Sequence, residues 1–271
     1  MDPAVAMTIA GSDSGGGAGL QADLKTFAAH GVFGTTVVTA VTAQNSTEVR
    51  GVVAMDPSFV ELQIDTVLAD LPVAAVKTGM LGSSATVAVV GRWAAARRLP
   101  NLVVDPVLVA STGRHLLDAD GVDSYRRLLL PHALVVTPNT REAALLTGAP
   151  VDDLDAMVRA AHHLAELGPR VVMVKGGHLD GDRAPDVVVI DGELHVLDGP
   201  RLSSGNDHGT GCSLSAATAA LLARGVEVRE ALAQAKAFVA RALAGSAPWH
   251  LGAGHGPLDH FGWGSSTPLE G

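Results

Sequence analysis

Ala4-Val5-Ala6-Met7-Thr8-Ile9-Ala10 runs straight into Gly11-Ser12-Asp13-Ser14-Gly15-Gly16-Gly17-Ala18-Gly19, after which Leu20–His30 takes up a helical pattern. A short run that is apolar throughout is what a strand covered on both faces demands. Strand, glycine-rich loop and helix in that order open a βαβ unit, and the pattern repeats. Thr35–Val41, Ala74–Thr78, Leu102–Asp105, Leu134–Thr137 and Val171–Lys175 read as further buried strands. Ser58–Asp70, Ser83–Arg98, Ala119–Leu130 and Asp153–Leu167 read as the helices between them. Alternation at this spacing predicts an α/β fold on a mainly parallel sheet. One hairpin interrupts it, Asp186–Ile190 and Glu193–Leu197 flanking the turn Asp191-Gly192. Helices near Cys212–Arg224 and Arg229–Gly245 follow, and the Gly-, Pro- and Ser-rich tail from Ala247 reads as loosely ordered. No repeat or linker divides the chain, so residues 1–271 read as one domain.

Composition narrows the function classes. With 47% apolar and 17% charged residues, the 271-residue chain can bury a large core, which excludes disorder as its main state. Aromatics make up only 3%, so Ala, Val and Leu must build that core. A net charge of −9 argues against a protein that coats nucleic acid, but not against one that binds a phosphorylated small molecule. The single cysteine rules out an intrachain disulfide or a multi-cysteine metal site. The start carries no basic segment followed by an apolar one, and no apolar run approaches the ~18 residues of a membrane span. A cytoplasmic protein is the expectation.

In open parallel sheets, ligands sit beyond the carboxyl ends of the strands. Here those ends carry Gly11–Gly19, Thr78-Gly79-Met80, Asp105-Pro106-Val107, Asn139 and Lys175-Gly176-Gly177. The first loop matches neither GxGxxG nor GxxxxGK[ST], which disfavours a dinucleotide enzyme and a Walker-type ATPase. His208-Gly209-Thr210-Gly211-Cys212-Ser213 precedes an Ala- and Leu-rich helix. Two glycines and a helix start offer orphan N–H donors and partial positive charge, a combination that binds phosphate. A thiol there is expected below the free pKa of ~8.5, as a base or nucleophile; a buried structural cysteine is the alternative. Asn139 and Glu142, three residues apart, suit either a hydrated Mg²⁺ or a capping box. Asp105 suits metal support or a turn, and Lys175 suits an anion or an exposed strand end. His250, His255 and His260 do not have the offsets of a helical ligand pair and read as part of a solvated loop.

Together these stretches resemble the vitamin-kinase branch of the ribokinase-like superfamily, and within it the hydroxymethylpyrimidine/phosphomethylpyrimidine kinases of thiamine biosynthesis. Gln21-Ala22-Asp23-Leu24-Lys25-Thr26-Phe27, Thr42-Ala43-Gln44-Asn45, Lys77-Thr78-Gly79-Met80-Leu81, Thr137-Pro138-Asn139 and Lys175-Gly176-Gly177-His178 add to the likeness, which runs over nearly the whole chain. The resemblance implies a three-layer αβα fold and a homodimer. It implies ATP and Mg²⁺ as cofactors and two successive phosphorylations of 4-amino-5-hydroxymethyl-2-methylpyrimidine. It implies that Asp23 and Gln44 recognise the ring, with Gly11, Ala18, Val41, Met80 and Val107 around it. Lys175, His208 and Lys236 would serve the nucleotide, and Asp105, Asn139 and Glu142 the metal. Gly209, Thr210 and Gly211 would hold the phosphoryl group while Cys212 takes the hydroxyl proton. One departure stands out: Asp207 replaces the family's usual Thr, which would place a carboxylate near the phosphate. Rival readings are a pyridoxal/pyridoxine kinase, a non-catalytic pyrimidine-binding protein and a Cys-dependent acyl-transfer enzyme.

Overall fold

The computed structural model describes residues 2–108, 117, 120–177, 179, 181–202 and 204–264. Its strands are β1 (Val5–Ser12), β2 (Phe33–Gln44), β3 (Val49–Ala54), β4 (Val73–Thr78), β5 (Val103–Val104), β6 (Val135–Val136), β7 (Val171–Val174), β8 (Asp186–Ile190) and β9 (Glu193–Leu197). All belong to one sheet in the order β3-β2-β1-β4-β5-β6-β7-β8-β9. The pairs from β2 to β7 are parallel, and β3, β8 and β9 add antiparallel edges.

Alternate strand residues feed opposite helical layers. Ala6, Ala75, Val103, Val135 and Val171 pack under α1 (Gly19–Ala29), α7 (Thr210–Ala223) and α8 (Val228–Ser246). Met7, Ile9, Val76, Val104, Val136 and Val172 pack under the other layer. That layer comprises α2 (Pro57–Asp70), α3 (Ser84–Ala95), α4 (Gly121–Ser124) with its π-helical continuation Tyr125–Leu129, α5 (Thr140–Thr147) and α6 (Leu154–Ala165). The architecture is three-layered, as the sequence resemblance implies. The run Ser213–Leu222 of α7 is buried on every side. A helix apolar all round belongs inside, and its alanines let it sit close to the sheet. Among the described residues, no helix is long and apolar enough to cross a membrane.

Three features differ from the sequence expectation. β3 was not anticipated, because Val49–Ala54 is largely exposed and lacks the continuous apolar run of a buried strand. α5 is a complete helix of 8 residues, too short to show periodicity. The tail is not loosely ordered through residue 264. Asn206 Nδ2 donates to the carbonyls of Ser246 and Trp249, Asp259 accepts from the N–H groups of Trp263 and Gly264, and buried His260 places Nε2 2.9 Å from Ser213 Oγ. Burial lowers the His260 pKa to about 4, so it is a neutral packing group. Residues 265–271 lie outside the described residues.

Candidate active site

β1 has β2 on one side and β4 on the other, so the chain leaves β1 in both directions. Such a switch point opens a crevice at the carboxyl ends of the strands. The glycine loop follows β1, Gly79-Met80 follows β4, Asp105 follows β5, Asn139 lies just past β6, and Lys175 follows β7. One edge of the sheet thus gathers the residues that the sequence singles out.

Helix capping shows where that edge is reactive. α2, α3, α5, α6 and α8 each begin with a side chain that accepts a first-turn N–H. α1, α7 and the one-turn α4 begin without one. Gly209, the first-turn cap of α7, has φ 88°, a left-handed conformation suited to glycine. Thr210 N–H reaches the Asp207 carbonyl and Ser213 N–H reaches that of Gly209. Among the described residues the N–H groups of Gly211 and Cys212 have no acceptor. Beside them stands Lys175: a Cβ on Gly211 would lie 3.0 Å from its Nζ. Lys175 Nζ also donates to Asp105 Oδ1 at 3.0 Å, and Ser215 Oγ donates to Asp105 Oδ2 at 3.3 Å. Orphan donors, a helix dipole and an ammonium therefore stand close together, an arrangement that suits an anion.

Cys212 departs from the sequence expectation. Burial pushes its thiol up to about 11; Lys77 pulls against that shift, while Asp105 and Asp23 add to it. The Gly19 N–H donated to its sulfur and the start of α7 do not offset the loss of solvent. At rest the group is a thiol. Asp23, expected to touch the substrate ring, is instead fully buried beneath the site. Both its oxygens accept from Lys77 Nζ, at 2.9 and 2.8 Å, and Thr8 Oγ1 donates to it at 2.6 Å. Burial would lower the Lys77 pKa, but Asp23, Cys212 and Asp105 outweigh it and keep the ammonium charged.

The glycine loop is organised by Asp13, which the sequence reading passed over. Its Oδ1 accepts the N–H of Gly15, and its Oδ2 accepts those of Gly17 and Ala18. His208 Nε2 lies 3.1 Å from the same Oδ2. Burial alone would raise the Asp13 pKa; the bonds from His208, Ala18 and Gly15 outweigh it and hold the carboxyl below its usual range. His208 Nε2 is also 3.3 Å from the Gln44 amide. His208 therefore lies on the loop and Gln44 side, with its ring close to Gly17. Asp207 turns away from the anion site to pair with His255 Nδ1 at 2.6 Å, so it brings no carboxylate to the phosphate position.

Gly11 is buried against Met80, Ala18 begins α1, and Val107 is half-buried beside Asp105. Val41 lies on the opposite face of β2 from Thr42 and Gln44 and is 47% exposed. Asn139 forms a full capping box with Glu142: its Oδ1 accepts Glu142 N–H, and Glu142 Oε2 accepts Asn139 N–H. The cap is the role of Asn139 that the structure shows. Burial pushes the Glu142 carboxyl up to about 7; Lys175 opposes and Asp105 adds to the rise. Lys236 does not reach the anion site. Its Nζ donates to Asp186 Oδ2 at 2.6 Å, and Asp186 Oδ1 accepts the N–H of Gly176 at 2.9 Å. Lys236 thus braces the turn after Lys175 through Asp186, a residue that sequence reading had assigned only to a strand.

The family model for phosphomethylpyrimidine kinase matches residues 13–259. The chain belongs to that family. A hydroxymethylpyrimidine/phosphomethylpyrimidine kinase of Rhizobium meliloti is 48% identical over 260 residues, covering 95% of this chain and 97% of its own. A thiamine biosynthesis bifunctional protein, ThiED, of Geobacter sulfurreducens is 45% identical over 94% of this chain, which spans 52% of that longer protein. Among solved structures, the ADP complex of Bacillus subtilis pyridoxal kinase superposes with a TM-score of 0.87 at 35% identity, over 96% of this chain and 98% of its own. As in other phosphomethylpyrimidine kinase family members, the chemistry is phosphoryl transfer, which settles the enzyme class against the binding-protein and acyl-transfer readings.

Proposed function

We propose that this chain uses ATP to phosphorylate the hydroxymethyl oxygen of 4-amino-5-hydroxymethyl-2-methylpyrimidine, and then the monophosphate to the diphosphate. The observation that carries this reading is the candidate anion site: N–H groups of Gly211 and Cys212 without a protein acceptor, beside Lys175 at the carboxyl ends of the strands. In each transfer the substrate oxygen forms a bond to the terminal phosphorus of ATP, the bond to the ADP oxygen breaks, and the attacking hydroxyl gives up its proton in the first transfer. Gly209–Cys212 hold charge on the moving phosphoryl, and Lys175 meets the nucleotide phosphates. Positioning and charge stabilisation supply most of the acceleration in such chemistry. Gln44, with Gly11, Ala18, Met80 and Val107 nearby, receives the ring, and its amide can both donate and accept.

Asp105 and Glu142 suit a magnesium ion. Two carboxylates share one ammonium there, and Glu142 is forced toward neutrality by burial and by the charge of Asp105. Among the described residues no three His, Cys, Asp or Glu groups form a chelating cluster. Mg²⁺ fits such a sparse set, since it keeps waters and takes one or two carboxylates plus substrate phosphates. When bound, it supplies positive charge that neutralises phosphates and lowers the pKa of neighbouring acids. Cys212 accepts the hydroxyl proton only as thiolate, so in this role the thiol must first lose its own proton. The chain also pairs as a homodimer in our reading. Phe33, Val52 and Val53 are exposed on the β2–β3 edge, where an uncovered strand invites a partner.

A coupled ATPase assay with the hydroxymethylpyrimidine, followed by product mass, tests the reading. One and then two added phosphates are expected. ATP consumption with pyridoxal but not with the pyrimidine overturns it in favour of the activity named for the Bacillus subtilis structure.

A further inference from the structure

Gln44 ends β2 with its main chain fixed. Its N–H donates to Ser14 Oγ and its carbonyl accepts from the same hydroxyl, both at 2.8 Å. Its amide remains to be oriented. Turned by 180°, an amide keeps its shape and reverses its donor and acceptor. The neighbour that decides between the two is His208 Nε2, which lies 3.3 Å from Gln44 Nε2 as the amide is placed in the structure.

Asp13 decides what His208 can offer. It is buried, and its oxygens already accept three backbone N–H groups. Toward the ring it is an acceptor, so the Nε2 that lies 3.1 Å away carries the proton. A protonated Nε2 cannot accept from an NH₂ group, so the amide must be turned by 180° from its placement in the structure, bringing Oε1 toward the ring. The ring lies close against Gly17, where a Cβ would collide with Cδ2.

We propose that Asp13 and His208 are positioning residues that set, through Gln44, which way round the pyrimidine binds. The proposal rests on the substrate reading above. With Oε1 on the His208 side, the amide edge facing the ring has its acceptor near His208 and its donor farther off. The 4-amine pairs with the acceptor and ring N3 with the donor. In this pyrimidine the 5-hydroxymethyl group neighbours the 4-amine, whereas the 2-methyl lies beyond N3. The alcohol is therefore directed to the His208–Cys212 side, where the free N–H groups of the anion site stand. Reversed polarity would bring the 2-methyl end there.

The test compares the pyrimidine with its 4-oxo counterpart, which has nearly the same size but presents an acceptor at position 4 and a donor at N3. Wild type, His208→Phe and Asp13→Asn are measured for kcat/KM with both compounds and for Kd by calorimetry. The amino-to-oxo ratio is expected to fall at least tenfold in both variants. An equal loss for both compounds, leaving the ratio unchanged, means a merely structural role and overturns the proposal. In the unaltered protein, ¹⁵N-histidine NMR should find the ring that contacts the Gly17 amide protonated at Nε2; a bare Nε2 also overturns it. Failure of wild type to phosphorylate the amino compound would instead remove the substrate reading and the orientation with it.

Discussion

Cys212 is the sole cysteine, so its alkylation reports one group without interference. The structure puts its pKa at about 11. At pH 8 that leaves a thiolate fraction of about 0.001, against roughly 0.2 for a free thiol near 8.5. A more basic thiolate attacks faster, which returns about a factor of ten. In the ligand-free protein iodoacetamide should therefore react roughly twentyfold more slowly than with a free cysteine. The slope is more telling than the rate. Between pH 7 and 10 the logarithm of the rate should climb one unit per pH unit with no plateau, because the group titrates above this window. Lys77→Met should lower the rate further, since the lost ammonium is the charge that opposes the rise. A plateau below pH 9 would refute the assignment and restore the activated thiol expected from a helix N-terminus alone.

Lys77→Met should also cost about 3–5 kcal/mol, because it leaves the Asp23 carboxylate buried without its partner. At about 2–4 °C per kcal/mol, that is a Tm fall of roughly 6–20 °C. Burial already raises the folded-state Asp23 pKa, and losing Lys77 raises it more, so the deficit should be full above that pKa and shrink as pH falls toward the unfolded value. A deficit in melting temperature that does not change with pH would contradict this. Gly209→Ala combines a left-handed φ with a Cβ that runs into the Gly17 carbonyl; kcat/KM should fall at least about a hundredfold, or ~2.7 kcal/mol. Gly31→Ala is the contrast, with φ 69° but open space around it, and should cost only ~1–2 kcal/mol of stability and no activity.

The sheet was legible because its strands are buried on both faces, and a run such as Val171–Val174 has no other economical home. The uncapped start of α7 was legible for a related reason: two glycines before an apolar helix leave its first N–H groups without a side-chain cap. β3 was illegible because its side chains face solvent and it depends on pairing with the far end of β2. Charge partners were illegible for another reason. Asp13 meets His208 across 195 positions, and Asp23 meets Lys77 across 54, separations that only the folded chain closes. The error over Cys212 has the same origin: the helix start was visible in sequence, but its burial and the carboxylates of Asp105 and Asp23 were not.

Those pairings leave the site with little spare positive charge. Lys77 is held by Asp23 and Lys175 by Asp105, while Glu142 has no cation of its own. In the proposed reading a nucleotide at the start of α7 shares Lys175 with Asp105, whose side chain is only 2% exposed. Asp105→Asn removes that competition and a like charge. Without divalent ions, calorimetric affinity for ATP should rise roughly three- to thirtyfold, or ~0.6–2 kcal/mol. With saturating Mg²⁺ the same variant should bind more weakly, because a carboxylate suited to the ion is gone. The opposite signs are the test. A change of one sign under both conditions would mean that Asp105 does not both restrain Lys175 and serve the cation, and the charge balance drawn from Asp105, Glu142 and Lys175 would have to be abandoned.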